Sequence, residues 1–136
     1  MIALVDRTID VDAVRRSVDN PGFGAVLVFE GVGRNHFEGR PVQALEYEAY
    51  AEMAVPAMQE IASEAAREWE VEVAIVHRTG RVAIGEPSVV IAVGSPHRAA
   101  CYEASRYTID TLKRRVPIWK KEIYADGSAW KANNQR

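Results

Sequence analysis

Cysteine occurs once in this 136-residue chain, at Cys101. An internal disulfide and a cysteine-rich metal site are thereby excluded, and no bound metal is expected. Long apolar runs are missing as well, since no uninterrupted stretch approaches the ~20 residues that a membrane-spanning helix needs. The opening segment Met1-Ile2-Ala3-Leu4-Val5-Asp6 has no cationic stretch ahead of an apolar run. No export signal is therefore expected, and the cytoplasm is the expected compartment. Neither sign of charge dominates: 17 Lys and Arg stand against 19 Asp and Glu, a formal net charge of −2. That balance argues against nucleic acid as the main partner, because such domains carry a broad basic surface. A Gly-Lys-Ser/Thr phosphate loop is absent, so no nucleotide site is expected; no bound cofactor is expected either.

What is present suits one compact domain over residues 1–136. The composition is 48% hydrophobic, and a chain of this length can bury a substantial core. The apolar pattern reads as α+β. Residues 2–6, 24–31, 42–47, 70–78 and 88–93 have the alternating or β-branched character of strands. Residues 11–18 read as a short helix closed by Asn20-Pro21-Gly22, and residues 51–69 as a long one. In the long helix Met53, Met58, Ile61, Ala65 and Trp69 fall near helical spacing, while Pro56 predicts a late start or a kink. A second long helix is expected from Pro96 to about Arg115, with Cys101, Ala104, Thr108 and Leu112 as its buried stripe. Pro117 ends it. Asp126-Gly127 between two further strands then signals a C-terminal hairpin.

The cations are local. Ser95-Pro96-His97-Arg98 has an N-capping hydroxyl followed by proline at the first helical position, which would leave free amides around His97 and Arg98. A phosphate arriving there would meet backbone donors, a helix dipole and a guanidinium together. The same pattern also fits an ordinary capped helix with solvated ends. At the other end of that helix Lys113-Arg114-Arg115 leads through Val116-Pro117-Ile118-Trp119 to Lys120-Lys121-Glu122. An ammonium beside this apolar, rigid turn can be partly desolvated and so useful for proton transfer. Cys101, on the buried stripe, reads as packing.

Several segments, in this order and spacing, resemble the large, catalytic subunit of molybdopterin synthase. They are Gly31-Val32-Gly33-Arg34 with Gly39, Leu45-Glu46-Tyr47-Glu48-Ala49-Tyr50 with Met53-Ala54, and Val76-His77-Arg78-Thr79-Gly80 with Gly85-Glu86. Ser95-Pro96-His97-Arg98, Pro117-Ile118-Trp119-Lys120-Lys121-Glu122, Asp126-Gly127-Ser128 and Trp130 complete the set, and the resemblance runs over roughly residues 20–131. Gly33 departs from the pattern, since the family more often has a β-branched residue before the arginine. The tail after Trp130 is short, leaving Lys131 or Arg136 for a further basic position.

The resemblance implies a single α+β domain, α/β hammerhead-like, with a mixed or antiparallel sheet, two long helices and a C-terminal hairpin. It implies a sulfurtransferase that converts precursor Z, a cyclic pyranopterin monophosphate, to molybdopterin. Sulfur would come from the C-terminal Gly-Gly thiocarboxylate of a small ubiquitin-like subunit. Lys113 and Lys120 become the expected catalytic residues, and Arg34, His97 and Arg98 the expected substrate-binding ones. A non-catalytic module binding a pterin or a ubiquitin-like protein is the alternative. Helix geometry adds a separate point: at about 1.5 Å per residue, His97 and Lys113 lie more than ~20 Å apart along a straight helix. One pocket cannot readily use both from one chain. A homodimer whose protomers each complete the other's site resolves this, in agreement with the family's heterotetramer.

Overall fold

The computed structural model describes residues 1–133, the last three as backbone only. Its elements are β1 (Ile2–Val5), α1 (Val11–Arg16), β2 (Ala25–Val32), β3 (His36–Phe37), β4 (Arg40–Ala49) and α2 (Ala51–Trp69). They continue with β5 (Glu72–Arg78), β6 (Gly80–Ala83), β7 (Pro87–Ser95), α3 (Arg98–Arg115), β8 (Ile118–Tyr124) and β9 (Ala129–Asn133). The expected α+β class, two long helices and C-terminal hairpin are all present, with the strands divided between two sheets. The first sheet has the order β1-β5-β7-β2, in which β1 runs parallel to β5 and the other pairs are antiparallel. The second has the order β3-β4-β8-β9, with the unanticipated short β6 also paired to β4.

Strand periodicity explains how the first sheet is covered on both faces. Alternate side chains of a strand point to opposite sides. Ile75, Val89, Ile91 and Val93 join the core beneath α2 and α3, whereas Ala74, Val76, Val90 and Ala92 join a smaller core that includes Val14 of α1. Strand β7 is consequently apolar almost throughout, as a strand buried on two faces must be.

Helix α2 buries Ala54, Met58, Ile61, Ala62 and Ala65. It begins at Ala51, a full turn before Pro56, because the Tyr50 carbonyl accepts from the Met53 and Ala54 amides and starts the ladder early. Met53, expected near the buried stripe, is 60% exposed on this first turn. Helix α3 buries Cys101, Ala104, Thr108 and Leu112 as expected. The Thr108 hydroxyl, fully enclosed, donates to the Ala104 carbonyl at 2.7 Å. Proline at 117 disfavours helical geometry at Val116, which is extended at φ −89 and ψ 127. The chain therefore turns directly from α3 into β8. In the final hairpin Gly127 adopts φ 88 and its amide bonds to the Tyr124 carbonyl at 3.0 Å, a conformation glycine takes without strain.

Candidate active site

The helix-to-strand turn at Pro117 brings Lys113 and Lys120, seven positions apart in sequence, to the same hollow. That cavity has a volume of about 330 Å³ and lies between the two sheets and α3. Strand register sets its polar floor: Leu45 pairs with Glu122 and Tyr47 with Lys120 across β4 and β8. Period-two alternation then aims Tyr47, Lys120 and Glu122 at one side of that sheet. Lys113 enters from the last turn of α3, one turn after Ile109, and Arg34 and His36 come from the segment following β2. Phe29, Phe37, Val42 and Val89 supply apolar wall. Trp130 stacks on Phe37 with ring centroids 5.6 Å apart, bracing that wall from outside.

The electrostatics of the two lysines differ. Burial pushes the Lys113 ammonium below the usual lysine range, and the nearby charge of Lys120 pushes it further in the same direction. Lys120 has a countercharge: its Nζ lies 3.5 Å from Glu122 Oε1, and the Glu122 side chain is only 3% exposed. The Tyr124 hydroxyl donates to the other Glu122 oxygen at 3.5 Å. Tyr47 has its phenol raised chiefly by burial, an effect opposed by a hydrogen bond with Ser88 and reinforced by the Glu122 charge. The cavity thus holds one amine that gives up its proton more readily than usual, and another held beside a buried carboxylate. Acid–base work near neutral pH calls for such a difference between neighbouring groups.

Of the expected site residues, Arg34, Lys113 and Lys120 are brought together here, and His97 and Arg98 are not. His97 is the N-cap of α3 and Arg98 its first residue, at the end of the helix remote from Lys113. The expectation that Ser95 caps the helix with Pro96 inside it is corrected. Ser95 still belongs to β7, its hydroxyl accepts the His97 amide at 3.3 Å and donates to the His97 carbonyl at 2.8 Å, and the helix starts two residues later than Pro96. Cys101 is 2% exposed, its thiol directed at the Val93 carbonyl and its pKa raised by burial, so it is packing and not a nucleophile. The Lys131 and Arg136 side chains lie outside the described residues.

A family model described as MoaE protein matches residues 4–115. A human protein named molybdopterin synthase catalytic subunit is 49% identical over 128 residues, covering 93% of this chain and 68% of its own. The chain belongs to the MoaE family. A crystal structure of molybdopterin synthase from Staphylococcus aureus superposes with a TM-score of 0.92 at 39% identity, covering 96% of each chain. A protein–protein complex of subunits 1 and 2 of molybdopterin-converting factor from Helicobacter pylori shares the fold, with a TM-score of 0.79 at 21% identity over 97% of this chain and 90% of that one.

In the cavity of this MoaE-family chain, sequence reasoning missed Glu122, Tyr47 and Ser88 among the lining residues. The spacing of Glu122 two residues after Lys120 in a strand was the available signal, because it places both on one face. Tyr47 and Ser88 had no such signal, since their approach depends on the pairing of separate strands.

Proposed function

We propose that this chain acts as the catalytic subunit of a molybdopterin synthase, with Lys113 and Lys120 as its catalytic residues. It is a sulfurtransferase that converts precursor Z to molybdopterin in molybdenum cofactor biosynthesis. The observation that carries the residue assignment is the convergence of Arg34, Lys113 and Lys120 on one cavity of mixed polar and apolar walls, with Lys113 depressed by burial and by Lys120. Cys101 is buried, so sulfur must arrive from outside the chain. Its source is the C-terminal Gly-Gly thiocarboxylate of a small ubiquitin-like subunit, whose extended tail fits a narrow hollow of this kind. Lys113 and Lys120 orient that thiocarboxylate and move protons as water is added and lost. Arg34 holds the substrate phosphate and stabilises its charge as the cyclic ester opens.

His97 and Arg98 complete the phosphate site from a second protomer. Their place at the far end of α3 from Lys113 supports that arrangement. Two catalytic subunits and two small subunits then form a heterotetramer with two equivalent sites. Residues 1–136 act as one domain, and the cytoplasm is the proposed compartment. Among the described residues no helix is long and apolar enough to cross a membrane.

The deciding experiment is incubation with thiocarboxylated small subunit and precursor Z, with the product detected as a dithiolene derivative. Dithiolene formation is expected. Binding of both components without dithiolene would favour a non-catalytic binding module.

A further inference from the structure

Arg78, Gly85 and Glu86 stand outside the lining of the cavity, and the reaction as described gives them no part. Glu86 lies just before β7, at the end of the turn Ile84-Gly85 that follows β6. Its carboxylate ties three segments together. Oε1 accepts from the Ala83 amide at 2.9 Å, across the turn. Oε2 accepts from the Thr8 hydroxyl at 2.7 Å, in the segment between β1 and α1, and pairs with the Arg78 guanidinium at the end of β5. The Arg78 and Glu86 side chains are only 12% and 19% exposed, so this ion pair is screened less than one on the surface. The Ala83 amide and then the Thr8 hydroxyl hold the carboxyl below its usual range, with Arg78 adding to the effect, so Glu86 stays ionised.

The turn that Glu86 closes also reaches the cavity wall. Gly85, at φ 82, directs its amide to the Gly33 carbonyl at 3.1 Å. That carbonyl and the Arg34 nitrogen share one planar peptide unit, so fixing the carbonyl fixes the direction in which the chain enters Arg34. On the far side of Arg34 the Asn35 carbonyl accepts from the Val42 amide at 2.8 Å. Arg34 is thus held before and after, by the β6–β7 turn and by β4, and its side chain lines the cavity. Without the Glu86 side chain, the bond from the Glu86 amide to the Ala83 carbonyl at 3.0 Å would have to close the turn.

We propose that Glu86 is a positioning residue for Arg34: it clamps the Ile84-Gly85 turn to Thr8 and Arg78, and the clamped Gly85 amide presets the Gly33–Arg34 segment for phosphate. A guanidinium on a preset segment spends less free energy on ordering when its anion arrives. Arg78 balances the charge of Glu86, so the clamp brings no net negative charge toward a phosphate. This role rests on the phosphate binding proposed for Arg34, but the clamp itself does not.

The test combines calorimetric titration of the full chain with precursor Z and amide hydrogen exchange at Gly85. Glu86→Ala should weaken precursor Z binding on the order of ten-fold, the usual worth of ordering a long side chain and its segment. It should leave affinity for the small subunit little changed and speed Gly85 exchange on the order of ten-fold. Glu86→Gln keeps an oxygen for the Ala83 amide and should recover part of the affinity. Thr8→Val removes one arm of the clamp and should cost about three-fold, a milder change that serves if Glu86→Ala does not fold. In an Arg34→Ala background both Glu86→Ala and Thr8→Val should cost almost nothing further, because their effect passes through Arg34. Equal losses with and without Arg34 overturn the proposal, leaving Glu86 a purely structural brace. Full affinity in Glu86→Ala, or Gly85 exchange indifferent to both variants, also overturns it. Unchanged affinity in Arg34→Ala with the Gly85 response intact instead overturns the phosphate role of Arg34 and leaves the clamp standing.

Discussion

Lys113 and Lys120 reach one cavity from different elements, a helix end and a strand, and the charge of Lys120 adds to burial in depressing the proton affinity of Lys113. Two ammonium groups at close quarters cost free energy, partly offset here by Glu122 at 3.5 Å from Lys120. An anionic ligand entering between the two amines would lower that cost. A thiocarboxylate and a phosphate are both anions, and each would relieve the repulsion on entering.

Replacing either lysine should therefore separate chemistry from folding. Lys113→Ala and Lys120→Ala are each expected to lower the single-turnover rate by about 10²-fold or more, the usual worth of a placed acid–base or charged group. Affinity for the small subunit and thermal stability should change little. Near-normal single-turnover rates in both variants would remove their catalytic roles.

Arg34→Ala and Arg98→Ala should weaken binding of precursor Z more than binding of the small subunit, because a guanidinium recognises the phosphate. Calorimetric titration of each variant with precursor Z measures this directly. Unchanged affinity in both would show that the phosphate sits elsewhere.

The acid side of the stability curve should carry the signature of His77. Burial lowers its pKa from 6.5 to about 4, opposed by the bond to the Arg78 carbonyl and assisted by the Lys113 charge. Between those values the unfolded chain binds a proton that the folded chain refuses, so stability is full above pH 6.5 and falls as pH drops toward 4. A shift of that size corresponds to roughly 3 kcal/mol. Urea unfolding at pH 7 and pH 4.5 should show a smaller difference for His77→Phe than for the unsubstituted chain. Glu64, held down to about 2 by Arg115 and Tyr107, affects both proteins alike and at lower pH.

How much of this was legible in sequence depended on how local the cause was. The span of helix α2 was bounded correctly because its apolar spacing is a property of one segment, although the late start offered for Pro56 did not occur, and the buried stripe of α3 followed for the same reason as the span. The start of α3 was misplaced because the Ser95 hydroxyl, a good cap by type, was already committed to the His97 backbone from within β7. The four-residue strand β6 is too short for its alternation to stand out, and it exists because β4 offers an edge. Lys113, Lys120 and Arg34 were reached through the family resemblance, and Tyr47 emerged only when strand register paired it with Lys120.

Gly33 has a physical explanation at hand. A Cβ added there would lie 2.4 Å from Leu45 Cδ1, so Leu45 occupies the space a β-branched side chain would need. Leu45 is itself buried and lines the cavity. Gly33→Val should destabilise the chain by about 1–3 kcal/mol, the usual cost of overpacking. Adding Leu45→Ala should recover part of that loss relative to the sum of the single changes, measured as a double-mutant cycle in urea. Strict additivity would show that the two side chains do not compete.

The last expectation concerns sharing of the site. His97 and Arg98 stand at the start of α3 and Lys113 in its last turn, so one straight 18-residue helix keeps them apart. At about 1.5 Å per residue the separation along the axis exceeds ~20 Å, more than a single substrate-sized pocket spans. A His97→Ala/Arg98→Ala double variant and a Lys113→Ala variant should each be inactive alone. Mixed and allowed to exchange subunits, they should regain activity, because a twofold dimer of one of each has one site with both intact halves and one with neither. Up to about half the normal activity per mixed dimer is expected from that geometry. A monomer in solution, or no recovery after exchange is verified by mass spectrometry of differently labelled subunits, would place the whole site within one chain.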